Sequence, residues 1–241
     1  MIAVHWHAPD TPLRTSVIRA GVLGLLLVIA LAWVARTWLP LGPLYPGKVA
    51  AVFATMMVVA FGLIGAHHPY LQFGPANQVT MIRAMLVALL ASLIGEPAVP
   101  RVAATATAVA VLIAALDGVD GWLARRSGMA SVFGARFDVE TDALFVMVMS
   151  ILVWQHGKAG IWVFLGGMRY LFVIAGWLLP WMARPLRPTI RAKTVSVFHM
   201  VGVSVALAPI VPLPLSAVAV GLSLVALSWS FAVDVRRLWM E

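Results

Sequence analysis

The sequence predicts an all-α integral membrane protein, and three observations predict it. Of its 241 residues, 62% are hydrophobic and only 11% charged, with a mean hydropathy of +0.98, far outside the balance of a soluble domain. Uncharged stretches run through 20–35, 49–82 and 194–233, and a bilayer-spanning helix needs ~20 mostly apolar residues. Basic residues collect between the apolar runs, where they orient a chain in a bilayer. The net charge of +8 therefore reads as topology and contact with anionic lipid, not as nucleic-acid binding. With no cysteine in the chain, disulfides, thiolate metal sites and thiol nucleophiles are excluded.

Residues 1–16 are polar, and the apolar run 17–38 exceeds the ~7–15 residues of a secretory signal core. It reads as a first span. A Pro/Gly-rich turn at 40–47 leads into a second span at 48–67, and a loop holding His68, Pro69, Gly74 and Pro75 follows. From Asn77 onward six more spans are expected, near 77–97, 101–126, 134–156, 159–183, 194–211 and 213–235, divided by Pro, Gly and charged residues that act as helix-end signals. The expected total is eight, with residues 1–75 forming an N-terminal extension of two transmembrane helices and 76–241 a six-helix core. Arg184, Arg187, Arg191, Lys193, Arg236, Arg237, Arg125, Arg126, Arg14 and Arg19 fall on one side in this count, which the positive-inside rule makes cytoplasmic. Arg36, Lys48, Arg101 and Lys158 fall opposite.

Five of the nine acidic residues, Asp117, Asp120, Asp138, Glu140 and Asp142, lie within 26 positions at the facing ends of two spans. An acidic group at membrane depth costs at least ~2.5–3.5 kcal/mol, so several together need a cation to offset them. At about 100° per residue, Asp117, Asp120, Gly121, Ala124 and Arg125 fall within an arc of about 140° on one helix, and Gly134, Asp138 and Asp142 within about 80° on the next. Glu140 points away and reads as an interfacial or paired charge. Carboxylates without histidine or thiol are hard oxygen ligands that favour Mg²⁺ or Mn²⁺, or Ca²⁺ where the cage is large and flexible. Gly118, Gly121, Ala124 and Gly134 remove bulk beside them, leaving room for a diphosphate, and Arg125 offers that diphosphate a bidentate partner. Two metals bridging a diphosphate suit in-line displacement at phosphorus.

Written out, Asp117-x2-Asp120-Gly121-x2-Ala124-Arg125-x8-Gly134-x3-Asp138-x3-Asp142 resembles the signature of the CDP-alcohol phosphotransferase (CDP-alcohol phosphatidyltransferase) family at all eight fixed positions. The resemblance implies a six-helix membrane core, a homodimer, a metal site on the cytoplasmic side and two Mg²⁺ or Mn²⁺ ions. It implies Asp117, Asp120, Asp138 and Asp142 as metal ligands, with Asp142 also the general base on the acceptor hydroxyl. The activity implied is transfer of a substituted phosphate from a CDP-alcohol such as CDP-diacylglycerol to a small hydroxyl acceptor, with release of CMP, in phospholipid biosynthesis at a bacterial inner membrane. Asn77, Thr80 and Arg83 are similar to the opening of the family's first core helix, which places them near the nucleotide or the metals. Arg191, Lys193 and Thr194 are similar to its basic loop before the fifth core helix; Val197 stands where a glutamine often does. Arg169, deep in an apolar span, needs a phosphate, an acid or water, and Tyr170 follows it where many members carry an acid. Arg169, Arg191 and Lys193 are thus the expected contacts to the acceptor or lipid phosphate.

A divalent-cation transporter or channel, with the aspartates as its ion path, is the competing reading. Arg125 on the same face opposes cation passage, and such a path needs no glycines at fixed offsets. Arg126 reads as a positive-inside anchor, the ten tryptophans as interface anchors, and the scattered histidines as structural.

Overall fold

The computed structural model describes residues 11–184 and 189–240, without the side chains of 63, 65–67, 180 and 183. Arg187, His5, His7 and the His67 side chain lie outside the described residues. The described residues fold into eight α-helices and no strand: α1 (Thr11–Trp38), α2 (Tyr45–His67), α3 (Pro75–Ser92), α4 (Pro100–Ser127), α5 (Val132–Gln155), α6 (Met168–Leu178), α7 (Ile190–Leu207) and α8 (Leu213–Met240). Six segments are long and apolar enough to cross a membrane: α1, Tyr45–Gly62 of α2, α4, Ile161–Leu178, α7 and α8. The two helices that fall short, α3 and α5, give a face to polar and charged side chains: Asn77, Thr80 and Arg83 on one, Asp138 and Asp142 on the other.

Local chemistry sets the helix ends. Pro75 and Pro100 open their helices, where the missing N–H is no loss. Ser131 caps α5, its Oγ accepting from Gly134 N at 3.0 Å, and Thr189 caps α7 through Ala192 N at 3.2 Å, each satisfying a first-turn donor. Gly128, at φ +65°, takes the left-handed conformation that stops α4.

Two differences from the expected spans have local causes. The stretch expected as one helix over 159–183 is instead a 3-10 segment (Ile161–Gly167), then α6, then a second 3-10 turn (Pro180–Ala183). Gly166–Gly167 and Pro180 interrupt the run, and both residue types disfavour a helix interior. The α7 helix begins at Ile190, so Arg191, Lys193 and Thr194 occupy its first turns instead of a preceding loop.

The chain forms two compact units. One holds the described residues up to Pro97 with Ala108–Leu144, and the other holds Ala98–Thr107 and the described residues from Phe145. In the first, α3 is the central helix, with Met85, Val87, Ala88 and Leu90 buried and both α1 and α2 packed on it. Glu96 ties the α1–α2 turn to the end of α3: its carboxylate accepts from Gly42 N at 2.6 Å and pairs with Lys48 Nζ at 2.6 Å. Lys48 also donates to Ile94 O at 3.3 Å. In the second unit α7 and α8 pack closely, because a Cβ on Gly202 would stand 2.7 Å from Ser223 Oγ. Small residues allow such approach in lipid. Ser223 also meets His199 Nδ1 at 2.9 Å.

Candidate active site

Three helices of the first unit build the site: the opening of α3, the end of α4 and the start of α5. The loop joining α4 to α5 is held from the segment before α3. Tyr70 donates its hydroxyl to Gly128 O at 2.8 Å, and His68 Nδ1 lies 3.0 Å from Ser131 Oγ with Nε2 2.8 Å from Gln72 O. Phe73, Phe133 and Phe137 pack beside them, with ring centroids 5.7–6.5 Å apart. These contacts tie the α4–α5 loop to the segment before α3.

The side chain at the centre is Arg83, fully buried. Its Nη2 lies 3.0 Å from Asp117 Oδ1 and also pairs with Asp142, while Nη1 lies 2.6 Å from Asp138 Oδ1 and also pairs with Asp120. One guanidinium therefore bridges all four predicted aspartates. Thr80, one turn earlier on the same face, donates to Asp120 Oδ2 at 3.1 Å. Asp120 is the most enclosed of the four, with 5% of its side chain exposed, whereas Asp138 is 36% and Asp142 28% exposed. The ring of acids thus has a closed floor and an open rim.

Charge decides what this ring can hold. Four carboxylates against one guanidinium leave a formal charge of −3. Oxygens of Asp117, Asp120 and Asp138 lie within 4.8 Å of one another, where each repulsion is worth at least ~3.5 kcal/mol at an effective dielectric of about 20. The single guanidinium of Arg83 neutralises only one of the four charges, so an excess of negative charge remains after its four contacts are made. The site calls for further positive charge. Its donors are hard carboxylate oxygens, and those of Asp117, Asp120 and Asp138 lie no farther apart than 4.8 Å, within the ~4–5 Å that a divalent ion bound at ~2.1–2.5 Å spans between opposite ligands. The residues fit Mg²⁺ or Mn²⁺ and do not fit a soft, thiolate-seeking metal.

The other predicted site residues have distinct places. Arg125 is exposed, and its Nη1 lies 3.5 Å from where a Cβ on Gly121 would stand, so it folds back along α4 beside that glycine. Ala124 is half-buried next to it, and nothing lies within 4 Å of the Cβ position of Gly118. Gly134 differs from the expectation that it clears room for a ligand. A Cβ there would stand 2.7 Å from Asn77 Oδ1, so its missing side chain admits Asn77, whose Nδ2 donates to Phe73 O at 2.5 Å. Glu140 is exposed, as its place on the helix predicts, and Arg126 stacks over Trp122 at 4.9 Å.

Arg169, Arg191 and Lys193 belong to the second unit. Arg169 is half-buried at the second residue of α6, at the junction with the 3-10 segment. Arg191 pairs with Asp234 and donates to Ser230 O at 2.6 Å and Ser230 Oγ at 2.7 Å, and Lys193 is exposed. The residue whose role sequence reasoning missed is Arg83, which it placed near the metals without assigning its contacts. The signal was its isolation: no other charged residue lies between 49 and 95, and a lone arginine at membrane depth needs acids.

Among known proteins, the family model described as CDP-alcohol phosphatidyltransferase matches residues 73–233. The match takes in the whole aspartate site and starts after α2. No curated protein and no solved structure is significantly similar to the chain.

Proposed function

The chain belongs to the CDP-alcohol phosphatidyltransferase family, and on that premise we propose that it transfers the phosphatidyl group of CDP-diacylglycerol to a small hydroxyl acceptor with release of CMP, using two divalent ions held by the four aspartates. The observation that carries this reading is the convergence of Asp117, Asp120, Asp138 and Asp142 on one point with an excess of negative charge. When bound, a pair of Mg²⁺ or Mn²⁺ ions supplies the positive charge that steadies the attacking and leaving oxygens of an in-line displacement.

The chain's own residues do the rest. Asp117, Asp120 and Asp138 hold the ions, and Thr80 fixes the orientation of the enclosed Asp120 through its hydroxyl. Asp142, on the open rim, would share in holding the ions, and its carboxylate accepts the proton of the acceptor hydroxyl. The acceptor oxygen bonds to the alcohol-linked phosphorus, the bond from that phosphorus to the bridging oxygen breaks, and CMP leaves with that oxygen. Arg125 forks onto the diphosphate, and Gly121 and Ala124 keep the wall beside it low. Asn77 and Gly134 lock α3 to α5 beneath the nucleotide. Arg169, Arg191 and Lys193 receive the acceptor or lipid phosphate, Arg191 being aligned by Asp234.

In this reading residues 76–241 are the catalytic core, residues 1–75 an added pair of transmembrane helices, and the protein a homodimer of a bacterial inner membrane with its site toward the cytoplasm. The transporter reading is disfavoured by Arg83, a fixed cation standing among the acids an ion would have to pass. The test is CMP release from CDP-diacylglycerol by the purified chain with a panel of small hydroxyl acceptors and Mg²⁺ or Mn²⁺. Acceptor-dependent CMP release supports the proposal; divalent-ion flux in proteoliposomes, indifferent to nucleotide, would overturn it.

A further inference from the structure

The helix that precedes the family match makes a groove of its own. Between α1 and α3 lies an open cavity of about 910 Å³, anchored where Phe73 N donates to Ser16 Oγ at 3.3 Å and where a Cβ on Gly24 would stand 3.3 Å from Met85 Sδ. The two helices therefore run in the same direction along it. Its lining changes character from end to end. One end has Thr15, Arg19, Gln72 and Gln78; the other has Leu23, Leu27, Ile82 and Met85. Among the described residues none that lines it is acidic, and Arg19 offers an anion a partner.

A binding site with a cation and amide donors at one end and an apolar channel along a membrane-crossing helix matches one chemistry, a phosphate attached to acyl chains. We propose that the α1–α3 groove binds one anionic phospholipid, its phosphate on Arg19 and an acyl chain against Leu23, Leu27 and Met85. The polar end sits beside the opening of α3, the same end that carries Asn77 and Thr80 on the opposite, buried face. The bound lipid thus packs α1 onto the helix that supplies Arg83, without contact to the aspartates. This gives the added N-terminal helices a task separate from phosphoryl transfer.

The test uses the full chain in detergent, with bound lipid counted by native mass spectrometry while dioleoylphosphatidylglycerol, dioleoylphosphatidylcholine or inorganic phosphate is titrated. Phosphatidylglycerol is expected to bind in preference to phosphatidylcholine. Arg19→Gln should weaken phosphatidylglycerol about fivefold, the weight of one basic side chain at an anionic headgroup, and leave phosphatidylcholine unchanged, while Arg19→Lys keeps the preference. Leu23→Trp, at a residue 67% exposed, should fill the channel and lower both lipids. Equal binding of the two lipids, indifference to Arg19→Gln, or displacement of phosphatidylglycerol by millimolar inorganic phosphate would overturn the proposal. So would rapid disulfide dimerisation of Leu23→Cys in membranes, since the chain has no other cysteine and a second copy would then be the occupant. The readout involves no nucleotide, so failure here leaves the transferase reading standing.

Discussion

Replacing Arg83 by methionine removes the one cation bonded to all four aspartates while keeping a side chain of similar length. Breaking a buried ion pair by deleting one partner costs about 3–5 kcal/mol, and Arg83 is fully buried with four partners. The loss should fall at the upper end of that range when no divalent ion is present, because Asp117, Asp120 and Asp138 are left facing one another within 4.8 Å. With saturating Mg²⁺ the same substitution should cost much less, since bound ions then hold the carboxylates. The assay is thermal unfolding of the purified wild type and Arg83→Met in detergent, in EDTA and in a Mg²⁺ titration. The variant should melt lower in EDTA, and Mg²⁺ should raise its melting temperature by more than it raises that of the wild type. Equal losses in EDTA and in Mg²⁺ would refute the reasoning, because they would show that Arg83 serves packing alone. Arg83→Lys should fall between the two, as a point charge cannot fork across four acids.

Other substitutions separate roles within the site. Asp142→Asn should lower CMP release by about 10²–10⁴-fold while the melting temperature in Mg²⁺ stays near that of the wild type. Gly134→Ala drives a Cβ to 2.7 Å from Asn77 Oδ1 and should destabilise by about 1–3 kcal/mol as overpacking, measured by thermal unfolding. Gly118→Ala, inside α4 with nothing within 4 Å, should raise stability by about 0.5–1 kcal/mol in the same assay, the helix-propensity gain of alanine over glycine. Glu96→Gln should cost about 1–3 kcal/mol, because Lys48 loses its counter-charge and Gly42 N a charged acceptor; unaltered unfolding would show that the α1–α2 turn is held by packing alone.

The aspartate site was legible in the sequence because helical spacing alone puts Asp117 with Asp120, and Asp138 with Asp142, on single faces. The same rule excluded Glu140, which is exposed. Spacing does not say which neighbour a face meets, and there the reading was incomplete. Asn77, Thr80 and Arg83 share a face of α3, yet only tertiary packing shows Thr80 on Asp120 and Arg83 on all four acids. Gly134 was read for the space it leaves, and that space is taken by Asn77 from 57 positions away. Arg191 pairs with Asp234 across 43 positions, a partnership no local pattern records. The span expected near 159–183 is present as Ile161–Leu178 but not as one α-helix: apolar composition measures lipid compatibility, not helicity, and Gly166, Gly167 and Pro180 divide the stretch into two 3-10 segments around α6.

Whether divalent ions on the four aspartates carry a phosphatidyl transfer is measured most directly by CMP release from CDP-diacylglycerol by the purified chain, stripped with EDTA and titrated with Mg²⁺ or Mn²⁺, in the wild type and in Asp117→Asn, Asp120→Asn, Asp138→Asn and Asp142→Asn. The expected result is no release in EDTA, recovery on adding either ion, and loss in every variant. Release that persists in EDTA, or that survives Asp120→Asn undiminished, would contradict it.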